Sequence, residues 1–269
     1  MRQTPAVVLS IAGFDPSSGA GITADLKTIA AHGLFGVCCI SALTVQSTQG
    51  VSRVEPLMPD LVRQTLERLL EDFAPAAVKI GMLGNAAMVE VVADFLTEAR
   101  LPHVVLDPVL RSSAGTELLD TEGTELLVKR LLPLAEVVTP NIGEAEVLTG
   151  ILVQDPSTMK AAAQKLHEMG ARNVIITGGH LDKPTDLLSQ KSASGAKTLE
   201  FPGEHISTNS THGTGCAFAT ALACNLASGK PMEDSTRLAK EFVAQALRHG
   251  YQIGKGKAPI HHLWKWDRE

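Results

Sequence analysis

The sequence predicts an α/β fold in which a mostly parallel central sheet is covered by helices on both faces. Short β-branched apolar runs alternate with segments whose apolar residues recur at helical spacing. Such alternation is typical of parallel strands joined by crossover helices. The chain has 269 residues, of which 44% are hydrophobic, and this is sufficient for one large core. We therefore expect residues 1–269 to form a single domain.

The first strand, helix and strand are predicted close to the N-terminus. The run Ala6–Ala12 is almost entirely apolar and leads into a glycine-rich loop, as expected of a buried strand. Ile22, Leu26 and Ile29 then recur at helical spacing. The apolar run Phe35–Ile40 supplies the second strand. Together these segments predict a first βαβ unit.

The alternation continues toward the C-terminus. Helices are predicted over Pro59–Phe73, Asn85–Arg100, Glu122–Leu132 and Ser157–Met169. Strands are predicted over Ala77–Ile80, Val104–Asp107, Val137–Thr139 and Val174–Thr177. Between Leu181 and Ser207 the rhythm breaks, because two short runs of β character flank a turn that contains glycine and serine. We expect these runs to form an antiparallel edge of the sheet, followed by two closing helices.

Composition excludes several classes of partner. The net charge of −5 and the lack of lysine or arginine runs give no basic surface for a polyanion, so we expect no nucleic-acid partner. The four cysteines have no metal-ligand spacing, and no secretory segment is recognisable, so we expect a reduced, cytoplasmic protein. No apolar run approaches the length of a membrane span, so we expect no membrane partner.

Polar and glycine-rich segments follow the predicted strands. Ligands of open parallel sheets bind beyond the carboxyl ends of the strands, so these segments are the candidate site. They are Gly13–Gly21, Thr44–Gln46, Lys79–Gly84, Asp107–Val109, Thr139–Asn141 and Thr177–His180.

The segment Thr211–Cys216 precedes an apolar helix that begins near Ala217. Its two glycines permit close approach of a ligand to the backbone, and the free N–H groups of the first helical turn favour an anion such as phosphate. The same field would stabilise a thiolate at Cys216, which is therefore a candidate proton acceptor or contact group. A structural turn beside a buried cysteine is the alternative interpretation.

Two nucleotide-binding motifs are absent from the sequence, and their absence limits the classes of enzyme that it could represent. The sequence has no Walker-type phosphate loop, and no Gly-x-Gly-x-x-Gly follows the first strand. Protein-kinase signatures are also missing. Carboxylates suited to a hydrated divalent ion, together with a glycine anion cradle, nevertheless favour phosphoryl transfer, because that reaction is catalysed mainly by positioning and charge neutralisation. The sequence thus predicts a kinase that uses a nucleotide.

A family resemblance is carried by several segments taken together: Ala12–Gly21 with Ala24–Lys27, Thr44–Gln46, Lys79–Met82, Asp107–Val109 and Thr211–Cys216. They resemble the hydroxymethylpyrimidine/phosphomethylpyrimidine kinases, a ribokinase-superfamily group of thiamine biosynthesis, and the similarity runs in order from Val7 to about Leu263. The resemblance implies a ribokinase-like fold without a large separate lid domain. It also implies a homodimer and the ATP- and magnesium-dependent phosphorylation of 4-amino-5-hydroxymethyl-2-methylpyrimidine, first to its monophosphate and then to the diphosphate, at one site.

Carried over residue by residue, the resemblance assigns the pyrimidine to Gly13, Asp25, Thr44, Gln46, Met82, Val109 and Cys216. Gln46 offers both a donor and an acceptor to an aminopyrimidine. Asp25, near a helix N-terminus, is expected to be ionised and could accept a hydrogen bond from the ring amino group or from the hydroxymethyl group. Taken in isolation, these residues also fit structural roles in a first helical turn, a core or a loop.

The resemblance assigns the nucleotide side to Asp107, Asn141, Glu144, Thr177, Gly178, Thr211 and Lys240. Magnesium is expected at Asp107, Asn141 and Glu144, partly through water. Capping of a helix after Pro140 is the structural alternative for Asn141 and Glu144. The transferring phosphoryl group is assigned to the backbone N–H groups of Gly213, Thr214, Gly215 and Cys216.

Cys216 distinguishes this chain from the sugar kinases of the superfamily, which usually carry an aspartate base at this position. Cysteine is the expected residue in hydroxymethylpyrimidine kinases and in a related class of pyridoxal kinases. A loose phosphoryl-transfer transition state needs little early deprotonation, so Cys216 is either a general base or a positioning group. Two alternatives to the pyrimidine kinase stay open: a pyridoxal, pyridoxine or pyridoxamine kinase on the same scaffold, and a non-catalytic ligand sensor.

Overall fold

Nine strands form one sheet in the computed structural model, which describes residues 4–179, 181–192 and 195–267. The strands are β1 (Val7–Phe14), β2 (Phe35–Ser47), β3 (Gly50–Pro56), β4 (Pro75–Ile80), β5 (Val104–Leu106), β6 (Val137–Val138), β7 (Asn173–Ile176), β8 (Thr185–Ser192) and β9 (Gly195–Pro202). The helices are α1 (Gly21–Ala31), α2 (Pro59–Asp72), α3 (Ala86–Ala99), α4 (Thr121–Leu126), α5 (Ile142–Thr149), α6 (Pro156–Glu168), α7 (Thr214–Ala227) and α8 (Met232–Arg248). A π-helical turn, Leu127–Leu131, extends α4.

The strand order is β3-β2-β1-β4-β5-β6-β7-β8-β9. All pairings from β2 to β7 are parallel, whereas β3 pairs antiparallel with β2, and β8 and β9 form an antiparallel edge. The predicted mostly parallel sheet and its antiparallel edge are therefore confirmed. Because all nine described strands belong to this sheet, the described residues contain no separate β lid.

One strand was not predicted from the sequence, and one helix was considered only as an alternative interpretation of Asn141 and Glu144. Strand β3 carries polar residues and is largely accessible, so its pairing with β2 rather than an apolar run defines it. Helix α5 has only eight residues, and a capping box at its N-terminus stabilises it. Helix α7 also begins at Thr214, earlier than the predicted start near Ala217, so part of the expected loop forms the first helical turn.

Two apolar layers cover the sheet. Leu66 of α2 and Met88 of α3 belong to the layer on one face, which also includes residues of α4 to α6. The opposite layer contains Ile29 of α1, Phe218 of α7 and Phe242 of α8. With both faces covered, the carboxyl ends of the parallel strands are the accessible region of the sheet. None of the helices described is long and apolar enough to cross a membrane.

The C-terminal segment crosses this carboxyl edge. The backbone N–H of Lys257 donates to the carbonyl oxygen of Thr48, at 2.9 Å, in the turn between β2 and β3. His212 N donates to Ala258 O at 3.0 Å, and Ile260 N donates to His212 O at 3.2 Å. The segment therefore fixes the backbone of His212 immediately before α7.

Candidate active site

A cavity of about 1190 Å³ opens at the carboxyl ends of the parallel strands. Most of the residues predicted for the site line it: Gly13, Gln46, Met82, Asp107, Val109, Asn141, Glu144, Thr177, Thr211, Gly213, Thr214, Gly215, Cys216 and Lys240. Asp25, Thr44 and Gly178 do not line it and lie behind it. His180 lies outside the described residues. The fold thus brings together segments that are distant in sequence.

The N-terminus of α7 lies at the segment predicted to be an anion cradle. Gly213 is its N-cap, with φ of +85°, and no side chain caps the helix. A Cβ atom at Gly213 would overlap the carbonyl oxygen of Gly19, whereas a Cβ at Gly215 would meet no atom within 4 Å. Gly213 is therefore required by the backbone, and Gly215 leaves open space in the cavity. The uncapped N–H groups and the helix dipole favour an anion here.

Cys216 lies in the first turn of α7 and is partly accessible. The desolvating surroundings raise the pKa of its thiol to about 12, and Asp107 and Asp25 add to this increase. Lys79 opposes the increase without cancelling it. The side chain is therefore a neutral thiol near pH 7, which differs from the thiolate expected from the helix dipole. Desolvation and two acidic neighbours outweigh the dipole.

A buried ion pair lies beneath the cradle. Lys79 of β4 and Asp25 of α1 are both fully inaccessible, and Nζ donates to the two carboxylate oxygens at 3.2 and 3.1 Å. Ser10 Oγ donates to Asp25 Oδ2 at 2.6 Å, and Thr220 Oγ1 of α7 donates to Oδ1 at 2.7 Å. Both oxygens of Asp25 are engaged in this way. Asp25 therefore connects α7 to the sheet instead of facing the cavity.

The charge of Lys79 is maintained by its neighbours. Burial alone would lower the pKa of the ammonium, but acidic groups, with Asp25 foremost, raise it above its ordinary value. Lys79 Nζ also lies 3.7 Å from Asp107 Oδ2. Lys79 was predicted only as part of the site segment Lys79–Gly84, with no role of its own. The feature of the sequence that could have indicated a buried ion pair was the presence of this charged residue within the apolar run Ala77–Ile80.

Asp107, Asn141 and Glu144 line the cavity near one another. Asp107 Oδ2 is buried and has no hydrogen-bond partner among the described residues. Burial raises the pKa of Asp107, and burial together with Asp107 raises the pKa of Glu144 to about 8. Asn141 and Glu144 also form the capping box of α5, with two N–H···O distances of 2.9 Å. The structural alternative is present in the fold, but it does not involve the orphaned Asp107 Oδ2, which lies 3.7 Å from Lys79 Nζ.

Within the described ranges, no three or more histidine, cysteine, aspartate or glutamate side chains are grouped as a ready-made metal site. An ion at Asp107 and Glu144 would therefore need ligands from water or a bound phosphate, as is usual for magnesium. Asp107 Oδ2 lacks a hydrogen bond, and Lys79 offsets only part of the increase in the pKa of Asp107, so the two carboxyl groups fit a divalent cation held in this way.

The side of the cavity predicted for the nucleotide contains an ion pair that the sequence did not predict. Lys240 Nζ lies 2.8 Å from Asp186 Oδ2, and Asp186 Oδ1 accepts a hydrogen bond from Gly178 N at 2.9 Å. A Cβ atom at Gly178 would overlap the carbonyl oxygen of Thr185. Asp186 thus holds both Lys240 and the Gly178 loop in position. The feature of the sequence that could have indicated this role of Asp186 was a carboxylate at the start of an apolar run.

The side of the cavity opposite Lys240 is lined by apolar side chains and by one side-chain amide. Met82 is buried and Val109 packs beside it. A Cβ atom at Gly13 would lie 2.9 Å from Met82 Sδ, so Gly13 gives the methionine room. Gln46 contributes the amide, and Thr44 Oγ1 lies 3.0 Å from Gln46 Oε1. Thr44 therefore contacts Gln46 instead of lining the cavity.

The fold and the site together define a ribokinase-like kinase of small molecules. An anion cradle at a helix N-terminus faces cavity carboxylates, at the strand ends of a mostly parallel sheet. The sequence matches the family described as phosphomethylpyrimidine kinase over residues 15–261. The chain belongs to this phosphomethylpyrimidine kinase family.

Three similar proteins illustrate the relationship. A hydroxymethylpyrimidine/phosphomethylpyrimidine kinase of Haemophilus influenzae is 43% identical over 268 residues, which cover 97% of each chain. The solved phosphomethylpyrimidine kinase of Clostridium difficile is 36% identical with a TM-score of 0.78, covering 90% of this chain and 99% of that one. Pyridoxal kinase from Staphylococcus aureus, solved with AMP-PCP, is 33% identical with a TM-score of 0.89, covering 98% and 96%. The predicted ribokinase-like fold and family are confirmed.

Gly213→Ala is expected to lower both the melting temperature and the turnover. Its Cβ would overlap Gly19 O and occupy a left-handed backbone conformation, at a cost of about 1–3 kcal/mol. Displaced cradle N–H groups are expected to reduce kcat by about 100-fold or more. Gly215→Ala is the matched control for stability, since its Cβ meets open space at a helical position, and its melting temperature should be no lower than that of the wild type. Equal melting temperatures for both variants in a thermal-shift experiment would contradict the assignment.

Lys79→Met is expected to reduce the free energy of unfolding by about 3–5 kcal/mol, because it leaves buried carboxylates without their counter-charge. Lys197→Met is the control, since the Lys197–Glu233 pair is exposed, and we expect a loss of about 1 kcal/mol or less. Urea denaturation would measure both. Adding Asp25→Asn to Lys79→Met should restore part of the lost stability. Similar losses for the two lysines would show that the buried pair is not needed.

Proposed function

We propose that this chain transfers the terminal phosphoryl group of ATP to the hydroxymethyl group of 4-amino-5-hydroxymethyl-2-methylpyrimidine and then phosphorylates the monophosphate to the diphosphate. The uncapped N-terminus of α7, which lines the cavity that also contains Gln46 and Lys240, carries this proposal. The membership in the phosphomethylpyrimidine kinase family supports the same reaction.

ATP would bind on the side of the cavity that contains Thr177, Thr211 and Lys240. Apolar residues of α8, including Val243 and Leu247, line this side and suit a nucleotide base. Gly178 would shape the loop behind it. The AMP-PCP complex of the similar pyridoxal kinase supports ATP as the phosphoryl donor.

Asp107, Asn141 and Glu144 would hold magnesium, largely through water. The orphaned Asp107 Oδ2 and the raised pKa of Glu144 support a cation at this place. When bound, magnesium would neutralise phosphate charge during transfer. Asn141 and Glu144 would keep their cap on α5 at the same time, because the cap uses only some of their oxygen lone pairs.

The backbone N–H groups of Gly213, Thr214, Gly215 and Cys216 would bind the transferring phosphoryl group. The neutral Cys216 thiol would position the acceptor oxygen beside it. The ring would lie against Met82, Val109 and Gly13, with Gln46 at its polar edge. Asp25 and Thr44 would support the site indirectly, Asp25 through α7 and Thr44 through Gln46.

A vitamin B6 kinase is the second candidate, because a solved pyridoxal kinase has the same fold at a TM-score of 0.89. The two substrates differ at the ring edge, where Gln46 offers a donor and an acceptor that suit an amino group beside a ring nitrogen. A homodimer remains a prediction from the resemblance, and a cytoplasmic location remains a prediction from the composition.

The purified protein should convert both hydroxymethylpyrimidine and its monophosphate to the diphosphate when ATP and magnesium are supplied, and turn over pyridoxal more slowly. Mass spectrometry of the products would identify each phosphorylation, and omission of magnesium would be the control. Turnover of pyridoxal alone would assign the chain to vitamin B6 salvage. Inactivity on all three acceptors with retained ATP binding would favour the sensor.

Cys216→Ser is expected to lower kcat by less than about 10-fold with either acceptor. The thiol, with a pKa of about 12, is not ionised near neutral pH, and loss of a true general base typically costs 10²–10⁴-fold. Steady-state kinetics with the alcohol and the monophosphate would distinguish the roles, because only the alcohol has a proton to lose from the attacking group. A loss above about 100-fold confined to the alcohol would establish a base.

A further inference from the structure

The side-chain amide of Gln46 lies between two groups that decide its orientation. Its Nε2 is placed 3.2 Å from His212 Nε2, and its Oε1 is placed 3.0 Å from Thr44 Oγ1. Rotating the amide by half a turn exchanges oxygen and nitrogen with almost no change in shape, so the hydrogen-bond network must assign the two atoms. The relevant network extends from Gln46 through His212 to Asp15.

Asp15 is an acceptor at the far end of this network. Its carboxylate accepts hydrogen bonds from Ser17 N and Oγ and from Ala20 N, at 2.6–2.9 Å. Burial alone would raise the pKa of Asp15, but the hydrogen bonds from His212 and Ser17 lower it below its ordinary value. An ionised carboxylate can only accept. Because His212 Nε2 lies 2.8 Å from Asp15 Oδ2, this nitrogen must carry a proton.

The protonated nitrogen of His212 cannot accept a hydrogen bond from an amide NH₂ group. Because that one N–H group is directed at Asp15, it offers Gln46 at most a shared, three-centre hydrogen bond, but a nitrogen without a lone pair still favours the amide oxygen over the NH₂ group as its neighbour. The same orientation is required at Thr44, whose hydroxyl has one proton and lies 2.9 Å from the acceptor Phe14 O. With that proton given to Phe14, the Thr44 oxygen accepts from the Gln46 NH₂ group. Both neighbours independently select the same amide orientation.

His212 is held firmly enough to impose this orientation. Its backbone is bonded on both sides to the C-terminal segment, through Ala258 O and Ile260 N. A Cβ atom at Gly19 would overlap its imidazole ring, so the ring fills the space beside that glycine. His212 has an exposed side-chain fraction of only 12%. The imidazole is therefore a fixed donor.

We propose that Asp15 and His212 are positioning residues that fix the polarity of the Gln46 amide, with its oxygen toward His212 and its nitrogen toward Thr44. A fixed polarity selects an acceptor ring by the order of its donor and acceptor. It favours a ring with an amino group, which donates, beside an unprotonated nitrogen, which accepts. A ring with an oxo group beside an N–H has the acceptor and the donor in exchanged positions and is disfavoured. This inference rests on the proposed pyrimidine kinase and names the feature of the ring that the site distinguishes.

The test compares two pyrimidines that differ only in this pattern: 4-amino-5-hydroxymethyl-2-methylpyrimidine and its 4-oxo analogue. In the wild type, kcat/KM should strongly favour the amino compound. His212→Leu removes the donor, frees the amide to turn, and should lower the amino-to-oxo ratio by about 10-fold or more, mainly through KM. His212→Gln places an N–H group near the position of Nε2 and should retain most of the preference. Thr44→Val, on the other side of the amide, should lower the ratio as well.

His205→Leu is the matched control, because His205 lines the same cavity and bonds only a backbone carbonyl among its described contacts. Its amino-to-oxo ratio should equal that of the wild type. Equal losses for both pyrimidines in His212→Leu and Thr44→Val would overturn the proposal, since a merely structural role affects both alike. If His212→Leu does not fold, Thr44→Val decides the question alone.

Failure of the proposed kinase function would give a different experimental result from failure of this inference. A wild type that turns over neither pyrimidine would contradict the kinase assignment. Dissociation constants of the two pyrimidines, measured by calorimetry, would then still test the amide. An unchanged binding ratio in the variants would overturn the inference, and a binding ratio that falls in them would support it.

Discussion

The buried ion pair between Lys79 and Asp25 is the interaction on which the rest of the site depends. Both side chains are inaccessible, and a charge in such surroundings is tolerated only with a partner and full hydrogen bonding. Asp25 meets this requirement through Ser10 and Thr220, so the pair joins α1, β1, β4 and α7. The position of the cradle at the start of α7 is therefore set by charges in the layer beneath it.

The cavity combines opposite electrostatic preferences at short range. The uncapped N-terminus of α7 favours an anion, whereas Asp107 and Glu144 favour a cation. A nucleotide phosphate with a divalent ion, as we propose, would satisfy both and would supply the ligands that the protein does not. Cys216 lies between them as a neutral thiol, because its surroundings disfavour a further negative charge. Positioning, more than proton abstraction, is what this arrangement can supply.

Much of the fold was predictable, because periodicity in the apolar residues reports burial directly. The parallel strands, the antiparallel edge and most helices follow from it. Strand β3 was missed, since its pairing with β2 stabilises it, and helix α5, which a capping box stabilises, was considered only as an alternative. Most predicted site residues line the cavity, because the carboxyl ends of parallel strands converge. Asp25 and Thr44 were expected to touch substrate, but neither lines the cavity: Asp25 contacts Lys79 and Thr220, and Thr44 contacts Gln46.

The sequence by itself determined the fold class, the glycine cradle, the residues at the strand ends and the family, because these depend on local pattern. Tertiary structure alone decided which polar groups are paired. The Lys79–Asp25 pair, the Asp186–Lys240 pair and the Asp15–His212–Gln46 network join residues that are far apart in sequence. Local sequence cannot specify such pairs, since the partner, its distance and the loss of water that strengthens the interaction arise only when the elements pack together.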